Sequence, residues 1–190
     1  MAEVLLFHHA QGLTPGVKAF ADELRSAGHT VHTPDLYDGK TFDTVDEGVA
    51  HAREVGFGTL LDNGVAAAAD LPAELVYAGF SLGGMPAQKL AQTRPGARGA
   101  LMFHAALPLS EFGGSWPEGA PLQIHFMEDD PWAEEDLPAA REIADTVDGA
   151  ELFLYPGDRH LFADNSVADY DPGAAALLKQ RALDLLARVG

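Results

Sequence analysis

The chain has 190 residues, of which 47% are hydrophobic and 22% charged, so its composition is that of a globular protein and not of a disordered chain. Its 12 Lys and Arg against 29 Asp and Glu give a net charge of −17, which argues against binding to nucleic acid or to an anionic membrane. Cysteine is absent, which excludes disulfides, thiolate metal sites and a cysteine nucleophile, and fits a cytoplasmic protein.

Short apolar runs and amphipathic helical patterns alternate along the chain, and we interpret residues 1–190 as a single domain. Six runs predict strands, at residues 4–8, 30–33, 75–78, 100–104, 122–127 and 151–155. Helices are predicted from Thr14-Pro15 to Gly28, as two pieces between 43 and 69, from 84 to about 92, over 134–147, and from Asp171-Pro172 onward. None of the apolar runs reaches the roughly 20 residues of a membrane helix.

Continuous apolar strands that alternate with helices predict a three-layer α/β fold. We expect a mostly parallel central sheet, helices on both of its faces and no large cap domain. Ligands of such sheets bind at the carboxyl ends of the strands, so candidate chemistry is expected directly after strands.

The segment Gly79-Phe80-Ser81-Leu82-Gly83 matches G-x-S-x-G between a predicted strand and a predicted helix. In such a nucleophile elbow the chain turns sharply, the glycines leave room where a Cβ would clash, and the serine hydroxyl projects above the sheet. The alternative interpretation is a glycine-rich turn in which Ser81 caps the helix. A dinucleotide-binding loop does not fit, because G-x-G-x-x-G requires glycine in place of Ser81.

A serine nucleophile needs a general base, and His160 is the strongest candidate among the eight histidines. It lies just after the last predicted strand, from where an imidazole can reach over the carboxyl edge of the sheet. His104 and His125 fall at the end of a strand or inside one, where we expect hydrogen-bonded core or edge histidines. His8 and His9 follow the first strand on opposite faces, so we do not expect them to share a metal ion.

The base in turn needs a carboxylate that holds its tautomer and stabilises the imidazolium. Glu128, Asp129 and Asp130 follow the strand over 122–127, at the same edge of the sheet. A serine, then an aspartate, then a histidine is the chain order of α/β-hydrolases. The spacing alone leaves Asp129 and Asp130 both open as the third member of a triad.

These motifs together make the chain similar to the dienelactone hydrolase family, a compact branch of the α/β-hydrolases, over nearly its whole length. The motifs are specific in combination, whereas only the elbow is specific alone. They are Pro34-Asp35-Leu36-Tyr37, Gly79-Phe80-Ser81-Leu82-Gly83-Gly84, His125-Phe126-Met127-Glu128-Asp129-Asp130-Pro131-Trp132, Tyr155-Pro156-Gly157, His160-Leu161-Phe162, and Tyr170 with Ala174-Ala175-Ala176 before the closing helix.

The resemblance implies which backbone and side-chain groups form the site. The family's triad aspartate precedes one residue, an aromatic and a small apolar residue, which here are Pro131-Trp132-Ala133. This matches Asp130, with Asp129 as the alternative. The family's oxyanion hole falls on the backbone N–H groups of Leu82 and Ala10, which would stabilise the charge that develops on a carbonyl oxygen.

Three positions depart from the family's best-known members, which use cysteine where this chain has Ser81. His9 stands in place of a glutamate that controls the thiol, and we expect it to contact substrate or Ser81, or to cap its loop. Asp164 stands in place of an arginine that binds the carboxylate of dienelactone. An acidic residue repels a carboxylate, so the sequence argues against dienelactone as the substrate.

The predicted activity is that of a serine hydrolase of carboxylic esters, lactones or thioesters, in which Ser81, His160 and Asp130 form an acyl-enzyme that water releases. No cofactor and no metal are expected. The expected partner is a small-molecule ester or lactone, and the expected assembly is a monomer or homodimer. The alternative is a ligand-binding protein of the same fold with little or no catalysis.

Four side chains are further candidates for contact with substrate in an open, apolar pocket. They are His9, Phe80, Trp132 and Phe162. Each of the three aromatic residues has a competing interpretation as part of the core.

Overall fold

The computed structural model describes residues 1–190 and contains six strands in one sheet and six α-helices. The strands are β1 (Glu3–Phe7), β2 (Thr30–His32), β3 (Val76–Phe80), β4 (Gly99–Phe103), β5 (Leu122–Met127) and β6 (Ala150–Tyr155). The helices are α1 (Pro15–Ser26), α2 (Val45–Val55), α3 (Phe57–Ala66), α4 (Gly84–Thr93), α5 (Leu137–Thr146) and α6 (Pro172–Val189). Single 3-10 turns cover Ser81–Gly83 and Leu109–Phe112.

The strands lie in the order β2-β1-β3-β4-β5-β6, and every neighbouring pair is parallel. The predicted α/β fold is confirmed, and the sheet is parallel throughout, which agrees with strands that read as unbroken apolar runs. The strand order reverses direction between β1 and β3. Loops after these two strands therefore open a crevice between them, the position at which ligands bind in such sheets.

Helices cover both faces of the sheet and divide the core in two. On one face α1 and α6 pack over the sheet through side chains such as Leu24 and Leu185, and on the other face α2 to α5 pack through side chains such as Leu60 and Ile143. The two buried clusters contain 21 and 22 residues, which is enough to hold the sheet rigid beneath the loops at its carboxyl edge. No separate cap domain covers that edge within the described residues.

Local sequence signals place the helices around this edge. Thr14 caps α1 by accepting the N–H of Val17, as predicted from Thr14-Pro15. Thr44 and Glu47 form a reciprocal capping box at the start of α2. Gly56, with a φ of 95°, separates α2 from α3, which are the two helical pieces predicted between 43 and 69.

One helix begins later than predicted. The pattern over 134–147 predicts a helix from Glu134, but α5 begins at Leu137 because residues 131–136 form successive turns. The first of these turns is held by the N–H of Trp132, which donates to Oδ1 of Asp130 at 2.8 Å. None of the helices combines the length and the apolar character needed to cross a membrane.

Candidate active site

The elbow after β3 has the strained geometry that the G-x-S-x-G motif predicts. Ser81 has a φ of 47°, in the left-handed region that side chains other than glycine rarely adopt. A Cβ on Gly79 would lie 2.1 Å from the carbonyl oxygen of Gly83, so the turn can close only with glycine there. The Ser81 hydroxyl caps neither the 3-10 turn nor α4. The interpretation of Ser81 as a helix cap is therefore wrong.

The structure brings Ser81, His160 and Asp130 into one chain of hydrogen bonds. Ser81 Oγ lies 2.7 Å from His160 Nε2, and His160 Nδ1 lies 2.7 Å from Asp130 Oδ2. Asp130 and His160 are each 4% exposed, so water competes little for these bonds. Asp129 is exposed, and the Nδ1 of His160 pairs with Asp130 instead. Of the two aspartates left open by spacing, Asp130 is the one beside the imidazole.

Two backbone N–H groups of the loop that carries His160 donate to side chains, one on the sheet and one within the loop itself. The N–H of Arg159 donates to Sδ of Met127 at the end of β5, and the N–H of Leu161 donates to Asp169 at 3.3 Å. A Cβ on Gly157 would lie 2.7 Å from the same Met127 sulfur, so glycine allows the close approach. His160 thus sits on a loop tied to the end of β5, which favours a constant distance to Ser81.

The two backbone groups expected to form the oxyanion hole come from loops that touch. Gly83 packs so closely on the loop after β1 that its Cβ would lie 2.6 Å from the carbonyl oxygen of His8. The N–H of Ala10 in that loop makes no hydrogen bond within the chain and is free to donate to a ligand. Leu82, whose N–H is the other expected donor, lies in the 3-10 turn that begins at Ser81.

His9 is not where substrate could reach it. Its side chain is fully buried, Nε2 lies 2.7 Å from Asp164 Oδ2, and Nδ1 accepts the N–H of Gln11 at 3.2 Å. The expectation that His9 contacts substrate or Ser81 is therefore wrong, since both ring nitrogens are used inside the protein. Asp164 is likewise buried, so its carboxylate does not face a substrate.

Two of the three candidate aromatic residues belong to the core. Phe80 and Phe162 are 1% and 0% exposed, and Phe80 packs edge-on against Phe20 at 5.2 Å between ring centroids. The expectation that they line a substrate pocket is wrong, because helices on the sheet face cover them. Trp132 is 43% exposed and its ring centroid lies 6.0 Å from that of His160, so contact of Trp132 with substrate stays a prediction.

His104, at the end of β4, differs from its expected role. It is buried as predicted, but neither ring nitrogen has a hydrogen-bond partner. Its φ is 61°, and its ring packs 4.6 Å from Phe162 and 5.8 Å from His160 between centroids. Burial, reinforced by the neighbouring histidines, holds the pKa of His104 well below 6.5. A neutral imidazole therefore lies directly beside His160. The sequence signal for His104 was its position directly after a strand, but that signal does not indicate that the ring nitrogens lack hydrogen-bond partners.

A second carboxylate, Asp136, lies near His160 and Asp130. It accepts the N–H of Ala106 at 3.0 Å. Burial raises its pKa above 3.8, although the Ala106 hydrogen bond and the nearby His160 act in the opposite direction. None of the clusters of His, Asp and Glu side chains has the arrangement of a metal site. His8 and His9 in particular bind different partners, Leu36 and Asp164.

The sequence as a whole matches a known protein family. The model of the dienelactone hydrolase family matches residues 1–190. The chain belongs to the dienelactone hydrolase family. As a member of that family it is a hydrolase that cleaves ester bonds.

Solved structures of other proteins share the fold of this dienelactone hydrolase family member. A dienelactone hydrolase-like promiscuous phosphotriesterase from metagenomic libraries is 19% identical, with a TM-score of 0.77 over 100% of this chain and 87% of that chain. Esterase 2 of Thermogutta terrifontis, phosphonylated by cyclosarin, is 18% identical, with a TM-score of 0.72 over 100% and 83%. Dienelactone hydrolase of Anabaena variabilis is 21% identical, with a TM-score of 0.66 over 100% and 87%.

Proposed function

We propose that this member of the family is a serine hydrolase that cleaves small carboxylic esters, lactones or thioesters through an acyl-enzyme on Ser81. The observation that carries the proposal is the unbroken series of hydrogen bonds from Ser81 Oγ through His160 to Asp130, each 2.7 Å long. Covalent catalysis requires a nucleophile and a base within hydrogen-bond reach of each other, with the base oriented by a third group.

Acylation begins with proton transfer from the Ser81 hydroxyl. The protonated Nδ1 of His160 donates a hydrogen bond to Asp130 Oδ2, which leaves the lone pair of Nε2 directed at Ser81 Oγ. As Oγ attacks the carbonyl carbon, the hydroxyl proton passes to Nε2, and the carbonyl oxygen becomes an oxyanion. The N–H groups of Leu82 and Ala10 donate to that oxyanion, a stabilisation of about 3–4 kcal/mol per donor.

Release of the alcohol and of the acid completes the cycle. When the tetrahedral intermediate collapses, the bond from carbon to the leaving oxygen breaks and the His160 imidazolium gives its proton to that oxygen. Water then attacks the acyl-enzyme while His160 Nε2 accepts its proton. The bond between carbon and Ser81 Oγ breaks, Oγ recovers the proton, and the carboxylic acid leaves. Asp130 stays ionised and stabilises the imidazolium in both halves.

The proposed substrates are uncharged at the end that enters the site. The position of the family's carboxylate-binding arginine is Asp164, which is 1% exposed and bonded to His9. Neither residue can bind the carboxylate of a substrate. The net charge of −17 also repels anions from the surface as a whole. These observations support neutral esters and lactones over dienelactone.

Replacement of the nucleophile tests the proposal. The variant Ser81→Ala should lose hydrolysis of p-nitrophenyl acetate. The control Ser110→Ala, at an exposed serine of the 3-10 turn Leu109–Phe112, should keep the activity of the unmodified protein. Undiminished turnover by Ser81→Ala would remove Ser81 from the mechanism.

A further inference from the structure

The peptide bond between His9 and Ala10 is held by its carbonyl group. The carbonyl oxygen of His9 lies 2.8 Å from Nδ1 of His8 and accepts the N–H of Gly12 at 3.0 Å. A trans peptide is planar, with its C=O and N–H pointing in opposite directions. Fixing the His9 oxygen therefore fixes the direction of the Ala10 N–H, which is the group free of any partner within the chain.

His8 has a single tautomer that suits this task. Its Nε2 accepts the N–H of Leu36 at 3.0 Å, so Nδ1 carries the proton and donates to the His9 oxygen. The ring is fully buried and packs edge-on against Tyr37. Burial lowers the pKa of His8 to about 4, so the neutral ring persists at neutral pH.

The side chain of His9 is also held in place, through hydrogen bonds at both of its ring nitrogens. Its Nδ1 accepts the N–H of Gln11, so Nε2 carries the proton and donates to Asp164 Oδ2. Asp164 also accepts the Thr14 hydroxyl and both the N–H and the hydroxyl of Ser166. Burial alone would raise the pKa of Asp164, but these bonds and the proximity of His9 outweigh it and hold the pKa at about 2. The carboxylate therefore stays ionised.

Asp164 joins the two halves of the site. It follows His160 by four residues on the loop after β6, whereas His9 lies on the loop after β1. The chain makes room for this contact at Gly16, where a Cβ would overlap Oδ1 of Asp164. The pair of His9 and Asp164 thus ties the loop of the oxyanion donor to the loop of the base.

We propose that His8 and His9 are positioning residues of the oxyanion hole, which orient the Ala10 N–H through the His9–Ala10 peptide, with Asp164 as the anchor of His9. This inference rests on the proposed function, because it assigns a role within the same site. Neither histidine touches the reacting atoms. Both act on the transition state through a backbone group, so their loss should lower kcat and leave KM nearly unchanged.

The test compares kcat and KM for p-nitrophenyl acetate in a series at His9. In His9→Leu, which loses the bond to Asp164, we expect kcat to fall between about 10- and 100-fold, less than the 10²–10³ of a deleted oxyanion donor. His9→Gln places an amide N–H where Nε2–H was and should recover most of the loss. His32→Gln, at a partly exposed histidine on β2, is the matched control and should retain wild-type kcat.

A second variant removes the donor itself. Ala10→Pro lacks the N–H and should lose about 10²–10³ in kcat. If His9 acts through that group, His9→Leu added to Ala10→Pro should cost less than a further ~3-fold. Thermal melting checks that each variant is folded at the assay temperature. Should His9→Leu not fold, Asp164→Asn, of nearly equal size, gives the same comparison and should also lower kcat.

The outcomes separate this inference from the proposed function. If the wild-type protein hydrolyses the ester through Ser81 but folded His9→Leu or Asp164→Asn keeps wild-type kcat, the positioning role alone is overturned. A full, multiplicative loss in the Ala10→Pro background, or a change confined to KM, overturns it as well. If the wild-type protein shows no hydrolysis that depends on Ser81, the proposed function is overturned, and this inference with it.

Discussion

Mild acid should destabilise this protein strongly, because it buries histidines in their neutral form. Burial lowers the pKa of His8 from 6.5 to about 4 and that of His125 to about 3, the latter helped by the charge of Arg181. The unfolded chain therefore binds protons as pH falls through 6.5, while the folded protein does not. Since the unfolded state then holds more protons, the free energy of unfolding decreases from pH 6.5 downward until the folded pKa is reached.

The magnitude follows from the gap between pH 6.5 and the pH of the experiment. At pH 5, about 1.5 pH units below the ordinary histidine pKa, His8 and His125 each lower the free energy of unfolding by about 2 kcal/mol, or about 4 kcal/mol together. His104, whose pKa burial also lowers, acts in the same direction. Asp164, with a pKa of about 2, titrates below this window, whereas Asp136, whose pKa burial raises, acts in the opposite direction.

Urea unfolding at pH 7.5 and at pH 5 measures the effect. With a slope of about 2 kcal/mol per M, a loss of about 4 kcal/mol lowers the midpoint by about 2 M. His125 Nδ1 lies 2.9 Å from the Tyr155 hydroxyl, so the informative variant is His125→Phe combined with Tyr155→Phe, and Tyr155→Phe alone is its matched control. The double variant should lose about 2 kcal/mol less than the control between the two pH values. Equal losses in both proteins would refute the reasoning.

Three further predictions concern the site. Gly79→Ala places a Cβ 2.1 Å from the Gly83 oxygen, so it should lower the free energy of unfolding by about 1–3 kcal/mol and kcat by about 100-fold. The control Gly58→Ala, in open space, should change neither, and normal turnover by Gly79→Ala would contradict the elbow geometry. Asp130→Asn should lower kcat by about 10⁴ and Asp129→Asn should not, and the reverse order would exchange their roles. A neutral p-nitrophenyl ester should be hydrolysed faster than an anionic one of equal acyl length, and the difference should shrink with added salt. A preference for the anionic ester would contradict the repulsion of anions by the negative surface.

The fold was predictable because its signals are local. Each strand is a short apolar run bounded by turn residues, and β5 has the predicted limits of Leu122 and Met127. Helix starts at Thr14 and Asp171 follow from capping residues next to proline. The late start of α5 was not predictable, because the turns before it are set by a bond from Trp132 to Asp130 and not by helix periodicity.

The site was only partly predictable, because part of it depends on packing between distant segments. Ser81 and His160 could be singled out since each follows a strand, and the sheet brings carboxyl ends of strands together. No local pattern indicates that His9 binds Asp164, 155 residues further along the chain. The burial of Phe80 and Phe162 depends in the same way on which helices cover them.

The most direct test of the account is peptide mapping by mass spectrometry after reaction with a fluorophosphonate. A hydroxyl activated by His160 and Asp130 should attack the phosphorus, so the adduct should lie on Ser81 and be absent from Ser81→Ala. Folded protein that stays unlabelled at Ser81 would contradict a nucleophilic serine at this edge of the sheet and would favour a ligand-binding protein of the same fold.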